Sequence, residues 1–552
     1  MKTTTMKKLA LATLSVALGL AVGAGCAKMA PHERRPAPSA TESMGYDGRP
    51  DSRQPEAEEF SRLSVVNGKP FADMYFKHYG VNPTIDTEEE SVSTFSVDVD
   101  TASYSLARAY LARGHLPEEE AIRVEEFINA FRYDYANPGS APFGVQVEAF
   151  PSPNRRGYHV LHVGLKGREV STAERLPAHL VFTIDISGSM ASENRLGLVK
   201  RSLAVLVEQL DARDTIALVV YGNDARTVLE PTRATDRGRI LSAINALRPE
   251  GATNVQAGLS MAYAIAASQA REGTTSRVIL CSDGVANSGI TNGDAIFASV
   301  KEHAQRGVRL TTVGFGMGNY NDVLMERLAQ QGDGQYAYVD QLTEAQRLFG
   351  EQLTGTLQLI ARDVKVQLEF DKAVVSRYRL IGFENRLLAK EDFANDRVDA
   401  GDIGAGHTVT ALYEVKFREA PARTASSFAT MRIRYKDPST TLEAGTSGLV
   451  EKALPTAIVR QSMEAAAGPS QLSVVVALFA EKLRGSYWAR TVTYEQLLRL
   501  WSELPERIRT RPEVLELREL IRTAQAYDKR GDKFERTAPV ANMDFDHIPV
   551  VR

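Results

Sequence analysis

Short apolar runs alternate with helix-length amphipathic stretches through the middle of the chain. Residues 180–184 are continuous, apolar and partly β-branched, the pattern of a buried strand. The chain then turns polar and enters a helix-like stretch over residues 194–210, with apolar residues at Leu196, Leu198, Val199, Leu203, Val205 and Leu206. Residues 214–221, 277–281, 309–315 and 335–339 repeat the strand pattern, with amphipathic runs such as 255–270 between them. Alternating βα units predict a parallel sheet covered on both faces, here over residues 177–358. On either side, residues 143–150, 158–165, 364–370, 409–415 and 429–435 alternate apolar with polar positions. Strands before and after the α/β unit predict one β-sandwich, contributed by residues 139–176 and 359–440, with the α/β unit inserted into it. Residues 59–138 read as an α+β region, with a helix opened by Pro117 that places Val124, Phe127, Ile128 and Phe131 on one face. Residues 441–552 read as a helical C-terminal domain, in which Thr493 with Gln496 and Thr510 with Glu513 resemble capping boxes.

The first 26 residues have another grammar. Lys2, Lys7 and Lys8 precede an apolar stretch over residues 9–22, too short to span a bilayer comfortably, which reads as a secretory signal. It ends in Ala24-Gly25-Cys26, which resembles a bacterial lipobox, although Gly23 stands where leucine is usual. That resemblance implies lipidation of Cys26 and a membrane anchor, held stably if several acyl chains are attached. Ala27 following the cysteine implies the outer membrane of the cell envelope under the sorting pattern of enteric bacteria. Residues 27–58 are rich in Pro, Arg, Glu and Ser and read as a disordered tether. The one other cysteine, Cys281, falls in a buried strand and reads as a small core residue. A net charge of −3 offers no basic footprint, so no nucleic-acid partner is expected.

The candidate chemistry lies in three loops. Asp185-Ile186-Ser187-Gly188-Ser189 follows the strand at 180–184, and Ser282-Asp283-Gly284 follows the strand at 277–281. Gly251-Ala252-Thr253-Asn254 precedes the helix-like run at 255–270. Strand-loop-helix order puts such loops at the carboxyl edge of a parallel sheet, where open α/β folds keep their ligand sites. Carboxylates and hydroxyls form an oxygen-only set, which suits Mg²⁺ or Mn²⁺. Taken singly, Asp185, Ser187 and Thr253 could equally be caps and turn formers.

The three elements together resemble the metal-ion-dependent adhesion site of von Willebrand factor type A domains. The resemblance implies that Ser187, Ser189 and Thr253 approach the metal directly or through water. Asp185 and Asp283 would act mostly through water, leaving one position for an acidic group of a partner protein. Residues 93–101 and 123–127 resemble the N-terminal region of bacterial von Willebrand factor type A lipoproteins of the YfbK kind, and the C-terminal helices resemble the same family. The expected fold is therefore α/β: a doubly wound von Willebrand A-type sheet inserted in a β-sandwich, with α+β N-terminal and helical C-terminal regions. The expected function is metal-dependent capture of a protein at the cell envelope, without catalysis. Two other readings are a hydrolase using the same metal and a structural envelope protein with a silent site. No histidine lies in or beside the three loops to act as a base.

Two further patterns carry less. Asp98-Val99-Asp100-Thr101 could hold Mg²⁺ in a phosphate-transferring enzyme, but no accompanying lysine and acidic pair is found, and Asp100 or Thr101 is expected to cap the next helix. His159 and His162 are predicted on opposite faces of a strand, which argues against a shared metal.

Overall fold

The computed structural model describes residues 73–534 apart from 285–292, 318, 420–426 and 439–446. The signal-like segment, Cys26 and the expected tether lie outside the described residues.

The central sheet has six strands in the spatial order Tyr336–Val339, Val308–Phe315, Thr275–Ser282, Ala178–Asp185, Thr215–Tyr221, Ala225–Arg233. Neighbours are parallel except the last pair, in which an antiparallel edge strand closes the sheet. Successive side chains along a strand face opposite sides, and here both sides are buried. Val181, Val219, Val278 and Leu280 pack on one side with Leu259 and Ala262 of helix Val255–Gln269. Leu180, Phe182, Ile184, Leu218 and Cys281 pack on the other with Val199, Leu203 and Leu206 of helix Arg195–Gln209. This two-sided burial is why the strands read as continuous apolar runs.

Strand Ala178–Asp185 comes first in the chain yet lies inside the sheet. The chain leaves it towards Thr215–Tyr221 on one side and returns to Thr275–Ser282 on the other. The carboxyl ends of Ala178–Asp185 and Thr275–Ser282 therefore flank the point where strand order reverses, which opens a crevice.

The sandwich is built from segments on both sides of this unit. One sheet has the order Ile403–Gly404, Leu359–Phe370, Ser427–Lys436, Ser447–Pro455, with Val92–Ser96 also paired to Leu359–Phe370. The other runs Ile85–Asp86, Val375–Ile381, Thr408–Phe417, His159–Gly167, Phe143–Pro151. Phe95, Leu161, Val163, Val366, Leu368, Tyr413 and Met431 meet in the core between them. The α/β unit is thus an insertion into a sandwich, as the strand pattern predicts.

Several expectations need correction. Residues 447–455, assigned from sequence to a helical region, form an edge strand beside Ser427–Lys436. The helices begin at Gly468–Leu483, followed by Tyr494–Glu503, Glu506–Arg509 and Pro512–Tyr527. Thr493 does cap, accepting from the Gln496 N–H at 3.1 Å, but Thr510 turns its hydroxyl back to the Glu506 carbonyl, and Pro512 opens the next helix instead. Pro117 does not open a helix: a 3₁₀ turn at Glu119–Ala121 intervenes, and the helix is Val124–Asn129.

Nor does Asp100 or Thr101 cap helix Ala102–Ala112 with its side chain. Asp100 Oδ1 accepts from the Tyr336 N–H at 2.8 Å, and a first-turn donor of that helix, Ser103 N–H, goes to Glu126 at 2.7 Å. Residues 73–138 are moreover distributed among three layers. Val92–Ser96 belongs to the sandwich, Ala109 and Tyr110 pack with the central sheet, and Phe127 and Ile128 pack with Leu472 and Phe479 of the C-terminal helices.

Candidate metal centre

Asp185 is the last residue of its strand and is fully buried. Its Oδ1 accepts from the Ser187 N–H at 2.8 Å and its Oδ2 from the Ser282 hydroxyl at 3.0 Å. Burial, and secondarily Asp283, push its carboxyl up to about 7. A carboxylate held in this way is stabilised by an arriving cation.

Ser187 flanks and Ser189 stands on the following 3₁₀ turn, Gly188–Asn194, with their hydroxyl oxygens 3.0 Å apart. Ser187 precedes that turn without capping it. The second loop is laid against the first by backbone hydrogen bonds, Glu250 N–H to Ile186 carbonyl at 2.5 Å and Gly188 N–H to Gly251 carbonyl at 3.1 Å. Thr253 is buried in this loop, and the cap of helix Val255–Gln269 is its neighbour Asn254, which accepts from the Ala257 N–H at 3.1 Å. The hydroxyls of Ser187 and Thr253 are thus not engaged as helix caps, the simpler role open to them.

Asp283 is fully buried just past the end of strand Thr275–Ser282. Its Oδ2 accepts from Arg195 Nη1 at 2.8 Å, while its Oδ1 is buried without a hydrogen-bond partner. A buried carboxylate oxygen without a partner costs free energy unless a cation or donor reaches it. Gly284 follows with φ +85°, and a Cβ there would come within 2.4 Å of the Tyr320 ring, so the loop closes tightly over that tyrosine. Parallel pairing of Ala178–Asp185 with Thr275–Ser282 places Asp185 and Ser282–Asp283 at neighbouring strand ends. The structure therefore gathers the three loops predicted from sequence at one crevice.

Two members of the surroundings were not anticipated. Ser282 orients Asp185, and Arg195, the first residue of helix Arg195–Gln209, neutralises Asp283. The arginine left a trace in the sequence, because a cation in the first turn opposes the helix dipole and calls for a local carboxylate. Among the described residues, no three His, Cys, Asp or Glu side chains gather into a metal-ligating group. A cation here would be held by two carboxylates and hydroxyls, a hard oxygen set whose chemistry fits Mg²⁺ or Mn²⁺. Cys281 lies beside this edge in the core, and burial raises its thiol well above the usual range, which suits packing rather than nucleophilic chemistry. His162 is buried between Tyr135 at 2.7 Å and Ser473 at 3.0 Å, a satisfied core histidine.

Comparison with known proteins agrees with the fold. The profile for the von Willebrand factor type A domain matches residues 179–351, a von Willebrand factor profile matches residues 70–162, and the profile for the YfbK C-terminal region matches residues 355–526. The chain is 36% identical to the uncharacterized protein YfbK of Escherichia coli (strain K12), over 82% of this chain and 81% of that one. It is 24% identical to the uncharacterized protein sll0103 of Synechocystis, over 55% of this chain and 71% of the other. It is also 29% identical to human inter-alpha-trypsin inhibitor heavy chain H4, over 39% of this chain and 22% of that protein.

Proposed function

The chain belongs to the YfbK family and carries a von Willebrand factor type A domain, and from that premise we propose that it is a protein-binding module that captures its partner through a divalent cation. Ser187, Ser189 and Thr253, with Asp185 and Asp283 mostly through water, would hold Mg²⁺ or Mn²⁺, and the ion would supply an electrophilic position for a partner's Asp or Glu. The observation that carries this reading is the buried, unpartnered Oδ1 of Asp283 at a crevice edged by the hydroxyl-bearing loops. With only two carboxylates among the candidate ligands, the cation keeps enough charge to attract a third from outside. We read the protein as a binder rather than a hydrolase, because no histidine stands in or beside the loops to serve as a base.

We further propose that Cys26 is lipidated and that the protein is anchored in the cell envelope, at the outer membrane. No helix among the described residues is long and apolar enough to cross a membrane, so this anchor rests on the lipobox-like sequence alone. Palmitate labelling should vanish in Cys26→Ser, and labelling that survives the change would refute the anchor. Partner capture from envelope extracts should be abolished by EDTA and by Asp185→Ala, and restored to the wild type by Mn²⁺. Capture that persists in EDTA would place the interaction surface away from the three loops.

A further inference from the structure

We infer that Arg195 is a tethered counter-cation of this centre, which occupies Asp283 in the metal-free protein and sets how tightly a divalent ion is taken up. The inference rests on the metal reading proposed above. Arg195 is held in a built slot. Its Nη1 lies 2.8 Å from Asp283 Oδ2, and the two side chains are 8% and 0% exposed. Its Nη2 donates to the Met317 carbonyl. The aliphatic stem runs over Gly316, where a Cβ would come within 2.3 Å of the arginine Cδ, so a larger residue at 316 would displace the arginine. The slot thus aims the guanidinium at one oxygen of Asp283 and leaves the other, Oδ1, buried without a partner.

This division gives Asp283 two sides. One carries a permanent positive charge, and the other is open to an arriving cation. Without metal the arginine stabilises a carboxylate that would otherwise be buried unpaired, a strongly unfavourable state. When a divalent ion approaches the free oxygen it meets like charge across the carboxylate, in a site where burial weakens screening. Arg195 therefore opposes metal uptake. Once the ion is bound, the same charge works in the other direction. Two carboxylates and a divalent ion sum to zero, and with the guanidinium they sum to +1, which favours the incoming carboxylate of a partner. One residue thus trades metal affinity against partner affinity.

The test compares the full wild-type protein with Arg195→Gln, a shorter side chain that keeps N–H donors but removes the charge. Titration with Mg²⁺ by calorimetry should give at least threefold tighter binding for Arg195→Gln. The rise in melting temperature on adding Mg²⁺ should be larger for the variant as well, since tighter binding to the folded state stabilises it more. Equal or weaker Mg²⁺ binding by Arg195→Gln, with the wild type binding normally, overturns the inference and leaves the metal reading intact. Failure of both proteins to take up Mg²⁺ overturns the two together. Should Arg195→Gln not fold, Arg195→Met is read in its place. It keeps an aliphatic stem over Gly316 and carries no charge, so it should likewise tighten Mg²⁺ binding, and unchanged affinity overturns the inference.

Discussion

Asp283 and Ser187 show how differently two candidate ligands can be tied into the same protein. Asp283 is fully buried and compensates Arg195, so its removal would strand a buried cation. Ser187 turns its hydroxyl to Ser189 and to the Asp185 carboxylate and is not part of the apolar core. Ser187→Ala should therefore change stability in the presence of chelator by about 1 kcal/mol or less. Thermal melting in EDTA checks this, and a loss of several kcal/mol would assign Ser187 a structural role. Asp185 and Asp283 stand out in the sequence because each closes an apolar run, whereas Ser187, Ser189 and Thr253 become candidates through the resemblance to the von Willebrand factor type A site. The roles of Ser282 and Arg195 were not legible, since they depend on which strand ends become neighbours, and that is a property of strand order.

At the level of elements, the candidate metal loops are shaped by what lies beneath them. Gly284 sits at φ +85° over Tyr320, whose hydroxyl bonds that of Tyr336 at 2.8 Å, while the Asn321 N–H reaches back to the Gly284 carbonyl at 3.3 Å. An alanine at 284 would combine an unfavourable backbone conformation with a clash against a fixed ring. Gly284→Ala should lower stability by about 1–3 kcal/mol and weaken Mg²⁺ uptake together, by displacing Asp283. Melting curves with and without Mg²⁺ read both, and a variant matching the wild type in each would show that the loop is not held by this packing. Strands buried on both faces were legible as apolar runs, whereas several others were not. Ala225–Arg233 and Ser447–Pro455 are edge strands with many exposed positions, so their patterns carry little hydrophobic signal. Val375–Ile381 carries a buried Arg379, which Glu414 meets at 2.7 Å and Glu481 at 3.6 Å, pairings that no local pattern reveals.

Across the whole molecule, the layers are joined by buried ion pairs as well as by apolar packing. Arg123 meets Asp322 of the α/β unit at 2.7 Å and also pairs with Glu126, while Arg386 of the sandwich side meets Asp98 at 3.0 Å. Arg484 of the C-terminal region meets Glu384 at 3.0 Å. Glu125 stands among these groups with one oxygen on the Phe383 N–H at 2.9 Å and the other unpartnered. Burial first, then Glu384, Asp98 and Glu126, raises its carboxyl from 4.5 to about 8. A raised carboxyl binds its proton more tightly folded than unfolded, so Glu125 makes stability fall as pH climbs from roughly 4.5 to 8. Glu125→Gln should remove this component and gain on the wild type as pH rises, by about 1 kcal/mol or more at pH 8.5. Melting temperatures over pH 5.5–8.5 decide it, and parallel curves for the two proteins would contradict the assignment. The insertion of one domain into another was legible because strand patterns flank the α/β unit. The dispersal of residues 73–138 over three layers was not, since each piece is stabilised by a partner hundreds of positions away.

The claim that everything else depends on is that the loops at 185–189, 250–254 and 282–284 bind one divalent cation. Calorimetric titration of Mg²⁺ into the wild-type protein and Asp185→Ala tests it most directly. The account predicts saturable binding of a single ion by the wild type and its loss in the variant, with Mn²⁺ binding at least as well and Ca²⁺ poorly, because the site offers few protein oxygens. Absence of binding to the wild type, or binding that Asp185→Ala leaves unchanged, would contradict it.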